Sequence, residues 1–182
     1  MIRKLFFLLI CLFFFTGFAQ LKHNQDDWDN YHQALKFGSE GRFALARDFF
    51  KLLPDTFWES EEIRMNLQVI EDLFAERISS EAAVYFFKAM EKSRSAERED
   101  AIALLSYAVN ENPDYAPFYF QRASVFYELD FNDEALDDFN KALKFDLGNS
   151  RAYYKRGVIF KRKRELLKAL CDLTKSLEID SL

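Results

Sequence analysis

Two cysteines and two histidines are the whole stock of thiol and imidazole ligands in this 182-residue sequence. Cys11 lies in an apolar N-terminal run, so Cys171 stands alone beyond it and forms no internal disulfide. With no histidine partner, Cys171 reads as an inert thiol. His23 and His32 are nine residues apart with no cysteine nearby, which is not the spacing of a metal site. Neither a metal nor a cofactor is expected. Glycine is scarce, five in all, and no glycine-rich phosphate loop is present. The Gly-x-Ser-x-Gly turn that exposes a nucleophilic serine is missing too. Adjacent carboxylates such as Asp137 and Asp138 read as solvated residues on an exposed helix side. These absences leave no residue set for catalysis, and the chain is not expected to be an enzyme.

What is present begins with a leader. Arg3 and Lys4 precede an apolar run, Leu5 to Phe15, followed by Thr16, Gly17, Phe18 and Ala19. A basic start, a short apolar stretch and small residues at the cut form a secretory signal peptide. The run is 11 residues, short of the roughly 20 that cross a bilayer. Residues 1–19 are read as the signal and Gln20 as the first residue of an exported chain, in the periplasm or outside the cell, with no transmembrane span left after cleavage. The net charge of the whole chain is −5, and loss of Arg3 and Lys4 makes it −7. That charge and the leader argue against a nucleic-acid partner. The charge is uneven: residues 20–81 carry a net −6, and residues 150–182 a net +5.

The rest of the chain repeats. Tyr85, Tyr119 and Tyr153 are spaced by 34 residues. The same spacing links Ala89, Ala123 and Gly157; Ala101, Ala135 and Ala169; Leu105, Phe139 and Leu173; and Ala108, Ala142 and Ser176. A fixed period in this range means stacked, near-identical units. Within one unit, Tyr119, Ala123 and Phe126 form one helical stripe. Ala135, Leu136, Phe139, Ala142 and Leu143 form a second, so each unit is a pair of helices. The small residues leave room for the helices to cross. Asn132 is expected to cap the second helix. The regular units are 82–115, 116–149 and 150–182, and a weaker pair occupies 27–54 around Ala46 and Phe50. About 21 residues are inserted before the regular array. They are read as an extra helix over 59–78, apolar on two sides and packed between two neighbours.

The sequence of aromatic, small, Ala-x-x-x-large and small residues resembles the tetratricopeptide repeat, with Pro113 at the family's closing proline. Lys88, Arg122 and Arg156 stand where the family carries leucine. The resemblance implies an all-α fold, a right-handed α-solenoid whose first helices line a concave groove. Its inward positions would be Ala83, Phe86, Met90, Ser93 and Arg94; then Pro117, Phe120, Ser124, Tyr127 and Glu128; then Arg151, Tyr154, Val158, Lys161 and Arg162. Some family members grip a peptide's terminal carboxylate at positions matched here by Phe86 and Met90, Gln121, and Arg151 and Lys155. Only the last pair is charged, which suits an extended peptide with apolar side chains and an acidic end. The run Lys161 to Arg164 suits either an anionic ligand or the negative end of a helix dipole. The expected function is a non-catalytic scaffold that binds a protein or peptide partner in a bacterial cell envelope. The alternative is an accessory subunit that docks on an envelope complex through Leu170, Leu173, Leu177 and Ile179 of the last helix, a face that would also serve a homo-oligomer.

Overall fold

The computed structural model describes residues 25–181 apart from 59 and 96. The leader, the expected Gln20 terminus and His23 lie outside the described residues. Among these, ten α-helices follow one another and there is no strand. They are α1 (25–39), α2 (Phe43–Lys51), α3 (Asp55–Trp58), α4 (Glu61–Phe74), α5 (Ser80–Arg94), α6 (Arg98–Glu111), α7 (Ala116–Glu128), α8 (Asn132–Phe145), α9 (Ser150–Arg162) and α10 (Leu166–Asp180). No helix among the described residues is long and apolar enough to cross a membrane.

The helices pair as hairpins, α5 with α6, α7 with α8 and α9 with α10, and each hairpin packs on the next. The molecule is an all-α solenoid. One continuous core runs from Tyr31 of α1 to Ile159 of α9. The alanines at the repeated small positions, Ala89, Ala101, Ala108, Ala123, Ala135 and Ala142, are fully buried where helices cross. Gly157 holds the equivalent place in α9, and a Cβ there would lie 3.1 Å from Leu173 Cγ. Gly38 is tighter still: a Cβ would meet the Phe87 ring at 2.4 Å, so α1 seats against α5 only through glycine.

One turn recurs at the ends of α1, α7 and α9. Gly41, Asp130 and Arg164 sit at equivalent places with φ of 75°, 60° and 63°. The next amide reaches back five residues in each: Arg42 N to Phe37 O at 2.8 Å, Phe131 N to Phe126 O at 3.0 Å and Glu165 N to Phe160 O at 2.9 Å. This is the Schellman arrangement, which satisfies carbonyls that the helix end leaves open. It also corrects the expected cap. Phe131 is spent on that turn and occupies the N-cap position, so Asn132 becomes the first residue of α8 and its side-chain amide donates to Asp130 O. Side-chain caps do occur at Ser79, which accepts from Ala82 N, and at Asn149, which accepts from Ala152 N.

Of the residues read as one extra helix over 59–78, α4 takes only Glu61–Phe74, and the short α3 precedes it at Asp55–Trp58. α4 stops at Phe74 because Glu76 turns left-handed, with φ of 57°. Arg77 N then bonds Asp72 O, the same five-residue reach. Ile78 is buried in the loop beyond it, and Phe74 is exposed beneath the Arg47 guanidinium.

Candidate functional site

The concave face has two halves of different character. On α5, Ala83, Phe86 and Met90 lie on the side expected to face a ligand, yet all three are 0 % exposed. The cover is the inserted helix. α4 packs on α5, and Arg94, on that same side of α5, pairs with Glu62 of α4 at 3.6 Å. The Arg94 guanidinium also lies over the rings of Trp28 and Tyr31 of α1, and Tyr31 donates its hydroxyl to Glu62. Burial, reinforced by that carboxylate, pushes the Tyr31 phenol above its ordinary pKa. Farther along α4, buried Asp72 accepts from the Tyr115 hydroxyl at 2.6 Å, from Gln68 at 2.9 Å and from Arg77 at 2.6 Å. Burial and then Asp72 raise the Tyr115 phenol in turn. Arg64, Met65 and Gln68 of α4 line a shallow cleft with Pro117 and Asn149, so α4 reaches the mouths of the next two units. Phe86 and Met90 are therefore core residues, contrary to the expectation for them, because the insertion occupies their side of the groove.

Phe120 and Ser124 of α7 are also buried. Phe120 packs on Phe139, and the Ser124 hydroxyl donates to Phe120 O while accepting from Lys155 Nζ at 2.9 Å. Lys155 lies over Phe120, with Nζ 5.5 Å from the ring centre. These two residues are likewise supports of the site and not its surface.

The open half lies on α7 and α9. Arg162 stacks on Tyr127, with Cζ 4.7 Å from the ring centre, and donates to the Tyr127 hydroxyl and to Asp130, both at 3.1 Å. Lys155 Nζ lies 5.8 Å from the centre of the same ring. One aromatic ring thus carries two cations. Tyr154 is exposed, Val158 half-buried, and Arg151 and Lys161 exposed along the same helix. Of the basic run, Arg162 alone joins this cluster: Lys163 pairs with Asp133, and Arg164 is the left-handed turn residue. The structure therefore brings Tyr127, Lys155 and Arg162 together, with Tyr154, Val158, Lys161 and Arg151 beside them on α9. Glu128, at the edge, pairs with Arg98 at 3.3 Å.

A second set of residues escaped the reading of the sequence. Asp138 is buried, not solvated, and takes Arg122 Nε and Nη2 at 2.6 and 2.9 Å. Arg122 Nη1 crosses to Ser106 Oγ on the previous hairpin at 2.9 Å. One period later, Asp172 takes Arg156 Nε and Nη2 at 2.7 Å each, and Arg156 Nη1 reaches Asn140 Oδ1 at 2.8 Å. The signal was in the sequence: Arg122 and Arg156, Asp138 and Asp172, Ser106 and Asn140 are each 34 apart.

On the last helix, Leu170 and Leu177 are 63 % and 71 % exposed, and Leu166 and Leu167 are exposed with them. Leu173 and Ile179, expected on that face, are half-buried; Leu173 is turned inward against Gly157. A cleft of about 400 Å³ beside Leu167 is lined by Phe160, Lys168, Cys171, Asn140, Arg156 and Asp172.

No family model matches the chain. The TPR repeat-containing thioredoxin TDX of Arabidopsis thaliana is 33% identical over 93 residues, which are 51% of this chain and 24% of that protein. The chain thus spans about a quarter of the length of that curated relative. Among solved structures, the Arabidopsis OM64 TPR domain is 25% identical with a TM-score of 0.54, over 56% of this chain and 84% of that one. The first TPR of Spaghetti (RPAP3), bound to the HSP90 peptide SRMEEVD, is 23% identical with a TM-score of 0.55, over 57% and 82%. MamA is 20% identical with a TM-score of 0.53, over 87% of this chain and 93% of its own. The fold these likenesses share with the described residues is the tetratricopeptide-repeat solenoid.

Proposed function

We propose that this protein is a non-catalytic scaffold that binds an extended segment of another protein on α7 and α9 alone. The observation that carries this is the Tyr127–Arg162–Lys155 cluster: an aromatic face flanked by cations, open on the concave side while the α5 side is closed. Tyrosines offer large contact area with little rotamer entropy to lose. Arg151, Lys155, Lys161 and Arg162 would meet an acidic segment, and Tyr154 and Val158 its apolar side chains. The likeness to a repeat domain solved with a bound peptide supports a peptide ligand. The closed Phe86 and Met90 shorten the site to fewer residues than three open units would read. The same reading places the protein in a bacterial envelope, exported by the leader and cut before Gln20, which N-terminal mass spectrometry of the exported protein would test.

The binding test is cross-linking of the protein in its own cells with a photoreactive residue at Tyr154. A discrete adduct that disappears in the Tyr127→Ala, Arg162→Ala double variant is the expected result. Adducts unchanged by that variant would remove the groove from consideration. A second reading, docking through α10 onto a larger complex, is favoured by exposed Leu170 and Leu177. The same cross-linker at Thr174 separates the two.

A further inference from the structure

The outer face of α10 repeats, position for position, the faces that α6 and α8 present to the hairpins stacked on them. On α6, Ile102 and Val109 flank Ser106; on α8, Leu136 and Leu143 flank Asn140; on α10, Leu170 and Leu177 flank Thr174, each set offset by 34. The first two sets are covered. Val109 and Leu143 are core residues, and Ile102 and Leu136 pack against the core. The third is exposed, and the Thr174 hydroxyl has no partner among the described residues.

What covers the first two faces states what fits the third. Ser106 and Asn140 each accept an arginine Nη1 from the next helix, Arg122 and Arg156. Four before and three after those arginines stand Phe118 and Val125, and Ala152 and Ile159, all buried on the same side of their helices. We propose that the outer face of α10 docks a helix of a partner protein that sets an arginine on Thr174, with an apolar residue four before and another three after it against Leu170 and Leu177. This rests on the end-face reading above and gives it a chemistry. Leu167, Leu170, Thr174 and Leu177 follow at 3-4-3 spacing, the stripe along which one helix packs lengthwise on another. A second copy stacked head to tail does not meet the requirement. The corresponding places of α1 are Asp29, Gln33 and Lys36, exposed and polar, which make that end of the array a cap.

The probe is a helix-stapled, fluorescein-labelled peptide of residues 116–128, which carries Phe118, Arg122 and Val125 in the required register. Titrated with the purified protein and read by anisotropy, it is expected to bind saturably, and Leu170→Glu with Leu177→Glu is expected to abolish binding. Both leucines are exposed, so that variant should keep its circular dichroism and Tm. Replacing the peptide's arginine by alanine should weaken binding about tenfold, Thr174→Val should do the same, and the two together should cost no more than either alone. Binding lost with the leucines but indifferent to both the arginine and Thr174 would overturn the arginine requirement and leave the end-face reading standing. No binding, or binding untouched by the leucine variant, would overturn both. A dimer at working concentration that the leucine variant dissociates would make a second copy the occupant and overturn the partner helix.

Discussion

Asp138 holds Arg122 by both of its carboxylate oxygens, at 2.6 and 2.9 Å, with the acid 4 % and the arginine 15 % exposed at their side chains. A pair this enclosed is costly to break from one side and cheap to replace whole, because the penalty lies in the charge left behind. Asp138→Ala should therefore lower unfolding stability by about 3 kcal/mol. Arg122→Leu with Asp138→Leu should recover most of it, since the hairpin at 82–115 already carries leucine at the matching Leu104. Urea denaturation of the single and double variants measures the difference. A double variant no better than Asp138→Ala would mean that the bond to Ser106 is the larger contribution.

The recurrent left-handed turn predicts a stabilising change. Arg164 holds a φ of 63° that glycine adopts freely and that Gly41 already fills at the equivalent turn. Arg164→Gly should gain about 1 kcal/mol, and Gly41→Ala should lose a similar amount. Thermal melts of the two variants should move in opposite directions.

Gly38→Ala should be among the most damaging small substitutions in the chain. Its new methyl would have to displace the Phe87 ring, which is itself fully buried against Phe43 and Phe50. Overpacking of this kind costs about 2 kcal/mol. Adding Phe87→Leu should restore part of the loss, read as Tm.

Alkaline pH should loosen the α4 cover. The Tyr31 and Tyr115 phenols have folded pKa values raised above the ordinary 10.0, by burial first and by Glu62 and Asp72 next. A raised pKa means the folded form resists ionisation, so their contribution is complete below pH 10 and falls as pH rises above it. Tyr115→Phe should cost stability at neutral pH and make the decline above pH 10 shallower. Guanidinium midpoints from pH 7 to 11.5 test this, together with tyrosinate absorbance, which should show these two phenols ionising only with unfolding.

Binding in the open half of the groove should divide by chemistry. Tyr127→Ala removes the ring that two cations share and should weaken a bound peptide by about 2 kcal/mol at every salt concentration. Arg162 is nearly half exposed, so Arg162→Ala should cost less and its effect should fade between 50 and 500 mM salt, as ordinary screening requires. Isothermal titration with the cross-linked partner's segment would show both trends.

The solenoid was legible in the sequence because its determinants are local and periodic. An alanine every 34 residues with a large residue four on leaves little choice of fold. The site was less legible, for two reasons. Phe86 and Met90 occupy groove positions in the repeat, but the helix that covers them comes from outside the repeat, and nothing in residues 82–115 announces it. Asp138 stands beside Asp137, and adjacency says nothing about which of two carboxylates turns inward on a helix. Its partner Arg122 was visible as a departure from the family's leucine, and the matching departure at Arg156 marked the pair.

In a stack where each unit touches only its neighbours, heat or denaturant can peel units from an end one at a time. α4 changes that at one end only. Through Glu62 it is tied to α1 and α5, and through Asp72 to Tyr115, 43 residues away in sequence. The helices from α1 to the start of α7 are thereby cross-braced, while α9 and α10 lie beyond these ties. Amide exchange should thus report two regimes in one chain, slow and collective through the first half, then faster and graded toward α10. The part of the molecule proposed to receive a partner is thus the part with the fewest ties to hold it folded without one.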